Sequence, residues 1–169
     1  MKGKALLLLL GLVLSWLVSG CSLRSYSPEC WDFTSLPVEQ QREIFGKQPV
    51  EKQLNLYLCK MSQHPADSSY AEPIADHGPE VIPTIIEKMR KVDDAEKARL
   101  LYIMEEMSRR GYLRQRTDVY AQLSQMVSEM NDVTRQSCEE MLKKIAIDSG
   151  IKQFTYTSCN HVCSLEGRI

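Results

Sequence analysis

Residues 93–111, Asp93-Asp94-Ala95-Glu96-Lys97-Ala98-Arg99-Leu100-Leu101-Tyr102-Ile103-Met104-Glu105-Glu106-Met107-Ser108-Arg109-Arg110-Gly111, decide the fold. Leu100, Ile103, Met104 and Met107 recur at i, i+3, i+4 and i+7. That spacing is one face of a helix with 3.6 residues per turn, and Leu101 widens the stripe. Asp93 or Asp94 caps its start. Arg109 and Arg110 complement the C-terminal dipole, and Gly111 stops it.

The same grammar continues on both sides. Pro79 to Lys91 reads as a helix burying Val81, Ile82, Ile85, Ile86 and Met89. Thr117 caps a helix with Val119, Tyr120, Leu123, Met126, Val127 and Met130 on one face. Asn131-Asp132 then turns into a last helix bearing Val133, Cys138, Met141, Leu142 and Ile145, ended at Gly150. A shift of 38 residues carries Asp94 onto Asp132, Ile85 onto Leu123, Leu100 onto Cys138 and Met104 onto Leu142. Two helix-turn-helix units of this period resemble HEAT-type repeats, whose paired helices stack into a solenoid. Pro83 suits the bent first helices of that family. An antiparallel helical bundle with similar loops gives the same spacing, so the expected class is all-α, as a short helical-hairpin solenoid or a bundle.

Upstream, Leu36 to Phe45 is a helix opened by Ser35 and Pro37 and closed by Gly46. Pro49 starts another, with Val50, Leu54, Tyr57, Leu58 and Met61 on one face. Tyr70 to His77 makes a short helix stopped by Gly78. The helical domain is therefore expected over 35–150, followed by an irregular cysteine-containing tail over 151–169.

The N-terminus carries an address. Lys2 and Lys4 form a positive start, and Ala5 to Leu17 is an apolar run broken only by Gly11 and Ser15. A membrane span needs about 20 apolar residues, so this run reads as a signal-peptide core. Leu17-Val18-Ser19-Gly20-Cys21 resembles the lipobox of bacterial lipoproteins: small residues that admit a peptidase, then a thiol able to carry a thioether-linked lipid. The resemblance implies that residues 1–20 are removed and that Cys21 is lipidated, usually with an additional acyl chain. It further implies that residues 21–34 are the lipidated N-terminus and tether, close to the membrane. Ser22, in place of an inner-membrane retention signal, favours the periplasmic face of the outer membrane if the source is Gram-negative. Two or more acyl chains make such anchoring permanent.

Composition limits the task. The chain carries 21 basic and 22 acidic side chains. Without residues 1–20 the balance becomes 19 to 22, which lacks the basic excess of a general nucleic-acid binder. Neither a phosphate loop, a nucleophile elbow nor a zinc-protease helix occurs, and no cofactor is implied. His64 and His77 lie at helix ends and read as structural. The pairs Glu105-Glu106 and Glu139-Glu140 read as solvated helix faces. No catalytic residue is assigned, and the chain reads as a non-enzyme.

Five cysteines follow Cys21: Cys30, Cys59, Cys138, Cys159 and Cys163. In an oxidising compartment disulfides are the default, with one thiol left over. Cys30–Cys59 would staple the entry segment to a helix. Cys159 and Cys163 can pair together, or one can reach Cys138. Cys159, His161 and Cys163, with Cys138 as a fourth, also form a set of soft ligands that a metal-handling lipoprotein or envelope enzyme could use. The only concentrated positive stretch holds Arg109, Arg110, Arg114 and Arg116, a candidate partner-binding turn or a solvated connector. The expectation that unites these features is a lipid-anchored envelope protein. Its helical domain binds another protein, or alternatively contacts peptidoglycan as a structural component.

Overall fold

A computed structural model of the chain describes residues 27–151, and every regular element among them is a helix. The all-α class is as expected. The chain divides after Ser35 into two compact units.

The described part of the first unit is helix α1, Pro28–Thr34. Part of the stretch expected as tether is therefore helical. Ser27 accepts the Cys30 N–H at 3.2 Å, Pro28 holds the first helical position, and Glu29 complements the dipole. At the other end the Thr34 hydroxyl donates to the Cys30 carbonyl at 2.7 Å.

The second unit begins with α2, Val38–Gly46, and α3, Val50–Met61. Two buried glutamines seat these helices by the same device. Gln41 Nε2 donates to the Leu36 carbonyl at 2.6 Å and its Oε1 accepts the Tyr70 hydroxyl. Gln53 Nε2 donates to the Gln48 carbonyl at 3.0 Å, while its Oε1 meets His77 Nε2 at 3.1 Å. Each amide thus binds the carbonyl five residues back and a ring from a later segment, leaving neither of its ends unpaired in the interior. His77 thus joins the segment after α4 to α3 through Gln53.

A one-turn 3₁₀ helix, Ser68–Tyr70, leads into α4, Ala71–Ala75. Gly78 then turns with φ +87°, where a Cβ would strike the Glu80 carboxylate at 2.8 Å. A second 3₁₀ turn, Pro79–Val81, opens α5, Ile82–Arg90. Pro83 therefore sits in the first turn of α5, where no intrahelical donor is lost, rather than inside a bent helix.

Helices α6, Asp94–Arg109, α7, Thr117–Ser128, and α8, Asp132–Asp148, complete two hairpins with α5. Helix α6 is the hub. It packs most broadly on α8 and also touches α3, α4 and α5, while α8 folds back on α7. Leu100, Leu101, Ile103, Met104 and Met107 are all fully buried on it, each contributing about 1.5–3 kcal/mol through removal from water. Ile85 and Leu123, the matched inward positions, are likewise 0% exposed.

Three readings need correction. Arg116, not Thr117, occupies the N-cap of α7, and its side chain makes no cap bond. Glu106 is buried rather than solvated. Val133 is 85% exposed, because it lies about 140° around the helix from the buried Cys138 and about 80–180° from the buried Met141, Leu142 and Ile145.

Candidate functional site

The basic stretch closes the C-terminal end of α6. Gly111 has φ +81°, its N–H bonds the Ser108 carbonyl at 2.9 Å, and the Tyr112 N–H bonds Met107 at 3.0 Å. This is the Schellman closure that a glycine after the cap permits. Helix α8 ends identically. Gly150 has φ +66°, bonding Ile147 at 3.1 Å, and the Ile151 N–H bonds Ala146 at 2.9 Å. The Gln115 N–H reaches the Ser149 carbonyl at 3.3 Å and ties the two ends together. Gln115 itself has φ +58°, a conformation L-residues other than Asn and Asp rarely adopt. Two rows of helix carbonyls thus meet where the arginines gather, which gives the positive charge a local purpose.

Three of the four candidate arginines are engaged by carboxylates. Arg109 pairs with Glu106 Oε2. Arg110 reaches Glu106 Oε1 through Nε at 2.8 Å and Asp76 through Nη1. Asp76 first and Glu106 second hold the Arg110 guanidinium still more firmly charged than usual. Arg116 binds Asp118 with both Nε and Nη2, at 3.1 and 3.2 Å, lowering that carboxyl below its ordinary range. Arg114 has no carboxylate partner among the described residues. Its guanidinium folds back over Gly111, and it borders an open recess with Gln115, Ile147, Asp148, Ser149 and Gly150. The sequence reading found the arginines but missed Asp76 and the burial of Glu106, since both acids are distant from the turn or hidden by helical phase.

Asp76 also lines a second cavity. A cleft of about 280 Å³ opens between the end of α2 and the segment leading through α4. Phe45 and Tyr70 close its floor, their rings edge to face with centroids 4.9 Å apart. Beneath them the buried Lys60 ammonium lies 5.5 Å from the Tyr70 centroid, a cation–π contact that fixes the ring. Arg42 stands on the α2 side and Glu72 and Asp76 on the α4 side. None of these three cleft charges was singled out from sequence, because nothing in helical periodicity marks them.

Cys30 and Cys59 are disulfide-bonded, the pairing the sequence favoured. Among the described residues Cys138, a candidate for a second bridge or a metal, has no cysteine partner; it is buried, and burial pushes its thiol pKa up. Cys21, Cys159, His161 and Cys163 lie outside the described residues. Among the described residues no group of three His, Cys, Asp or Glu is placed to hold a metal ion, and no helix is long and apolar enough to cross a membrane. Comparison with protein-family models, with curated proteins and with solved structures returns no match.

Proposed function

We propose that the protein is a lipid-anchored component of a bacterial envelope whose helical body docks another envelope protein. The anchor rests on the lipobox-like Val18-Ser19-Gly20-Cys21 behind a short apolar signal core. The docking role rests on one observation: the outward stripe of α8 is exposed along its length and carries an apolar residue at each end. Val133, Ser137, Glu140, Lys144 and Ile147 follow one another at helical spacing. Val133 is 85% and Ile147 68% exposed, on a helix whose other face is fully packed. A polar-centred stripe with apolar ends offers a partner both contact area and register.

The partner surface is thus assigned to α8 rather than to the basic turn, where only Arg114 is free to bind. Photo-crosslinking residues placed singly at Val133, Ile147 and Arg114 in the full-length chain test this in cells. A common adduct at positions 133 and 147 is expected, lost or weakened when Cys21→Ala prevents anchoring. Normal processing and lipid labelling of Cys21→Ala would refute the anchor. Adducts at Arg114 alone would return the partner to the basic turn.

A further inference from the structure

Beyond the docking reading, the geometry points to a second binding site: the cleft between α2 and α4 takes a small zwitterion, a free amino acid or a short peptide. Three observations carry this. First, the walls are of opposite sign and unneutralised by one another. Arg42 and Glu72 line the same cleft, yet among the described residues neither makes an ion pair. Asp76 gives one carboxylate oxygen to Arg110 and remains 67% exposed, adding to the negative wall. Opposite charges facing a shared cavity without closing on each other are matched by a molecule carrying a carboxylate for Arg42 and an ammonium for Glu72.

Second, the floor is aromatic and fixed. Phe45 and Tyr70 are 1% and 2% exposed and pack on each other, while Gln41 holds the Tyr70 hydroxyl and Lys60 its ring. These rings are packed under the cleft and hold its lining in place, so little ordering accompanies binding. Third, the cavity is kept open at its α2 end. Gly46 is the last helical residue of α2, and a Cβ there would meet nothing within 4 Å. Its backbone has no positive φ that requires glycine. The volume, about 280 Å³, sits at the lower edge of small-molecule sites, which run from about 300 to 1,000 Å³. One to three amino-acid residues fill such a space.

The test is calorimetric titration of the full-length protein in detergent with L-leucine, L-alanyl-L-leucine, and the dipeptide blocked at either end by N-acetylation or C-amidation. The free dipeptide or the amino acid should bind in the micromolar-to-millimolar range, and each block should weaken binding about tenfold or more. The tenfold loss from C-amidation should vanish in Arg42→Gln, and that from N-acetylation in Glu72→Gln, because each variant removes the group the block would have orphaned. Gly46→Trp should fill the cleft and abolish binding with the thermal midpoint held. If that variant misfolds, the two charge variants, both at exposed positions, still decide. Tighter binding of leucine than of the dipeptide fixes the ligand as a free amino acid, and the reverse fixes a peptide. Either blocked dipeptide binding as well as the free form would overturn the proposal, as would absence of heat with any probe up to about 10 mM.

Discussion

The Asp94 carboxylate receives both the backbone N–H of Asn131, at 3.0 Å, and its side-chain amide, at 2.9 Å. Asp94 is the first residue of α6 and Asn131 caps α8, so a single carboxylate binds the starts of two helices that pack side by side. Asn131 Oδ1 in turn accepts the Thr134 N–H at 3.1 Å. Asn131→Ala removes the cap and the amide bridge together. The cap alone is worth about 1 kcal/mol, so the thermal midpoint should fall by several degrees.

This bridge predicts a pH dependence. The Asn131 backbone N–H, then its amide and Lys97, hold the Asp94 carboxyl below its ordinary value. A depressed folded pKa means the stabilisation is present above the unfolded value, near pH 4, and is lost as pH falls through the folded one. The gap in midpoint between the native chain and Asp94→Asn should therefore be fully open at neutral pH and close in strong acid. A constant gap would place the effect elsewhere.

Tyr57 predicts the opposite limb. Its hydroxyl donates to the Arg99 carbonyl at 2.9 Å from a fully buried ring, and desolvation drives its pKa far above the usual value. Folding holds the proton, so the contribution is complete below about pH 10 and declines as pH rises past it. Tyr57→Phe should cost about 1 kcal/mol at neutral pH and flatten the alkaline decline in denaturant titrations.

Core and surface should separate cleanly. Ile85→Asp and Leu123→Asp each place a charge at a position with no exposure and should cost several kcal/mol, enough to unfold a body whose total stability is about 5–15 kcal/mol. Arg114→Glu, in contrast, should move the midpoint by less than about 0.5 kcal/mol equivalent. Circular dichroism melts read both.

The Cys30–Cys59 bridge closes a long loop, and Cys30→Ser with Cys59→Ser should lower stability by about 3–4 kcal/mol. Alkylation of the oxidised, folded protein should leave Cys138 unlabelled until denaturant is added. Labelling of Cys138 in the native state would show that α8 opens.

The helices of the two hairpins are legible because within each of them the buried residues follow a 3.6-residue phase. Where phase is short, reading by residue type misled. Residue type suggests an inward Val133, although its angle excludes it, and an outward Glu106, although its angle sets it about 60° from the buried Ile103. Helix α1 was missed because seven residues show too little periodicity, although Ser27-Pro28-Glu29 is a sound start signal. The cleft was illegible for another reason. It joins residues from 42 to 76 whose meeting depends on how α2 seats against α4, and that seating is decided by Gln41 and Tyr70, polar atoms without a pattern.

The matched ends of α6 and α8 make the hairpin a unit of editing. Asp93 and Asn131, 38 positions apart, cap by the same bond to the third residue of their helices, and Gly111 and Gly150 close them by the same pair of bonds. Removing residues 94–131 joins Asp93 directly to Asp132, so that Asp93 stands where Asn131 stood. The chain can thus be shortened or lengthened by one 38-residue period with its start signals already in register, while the stop glycines, 39 positions apart, leave the second helix one residue longer, a route by which such helical hairpins grow through duplication.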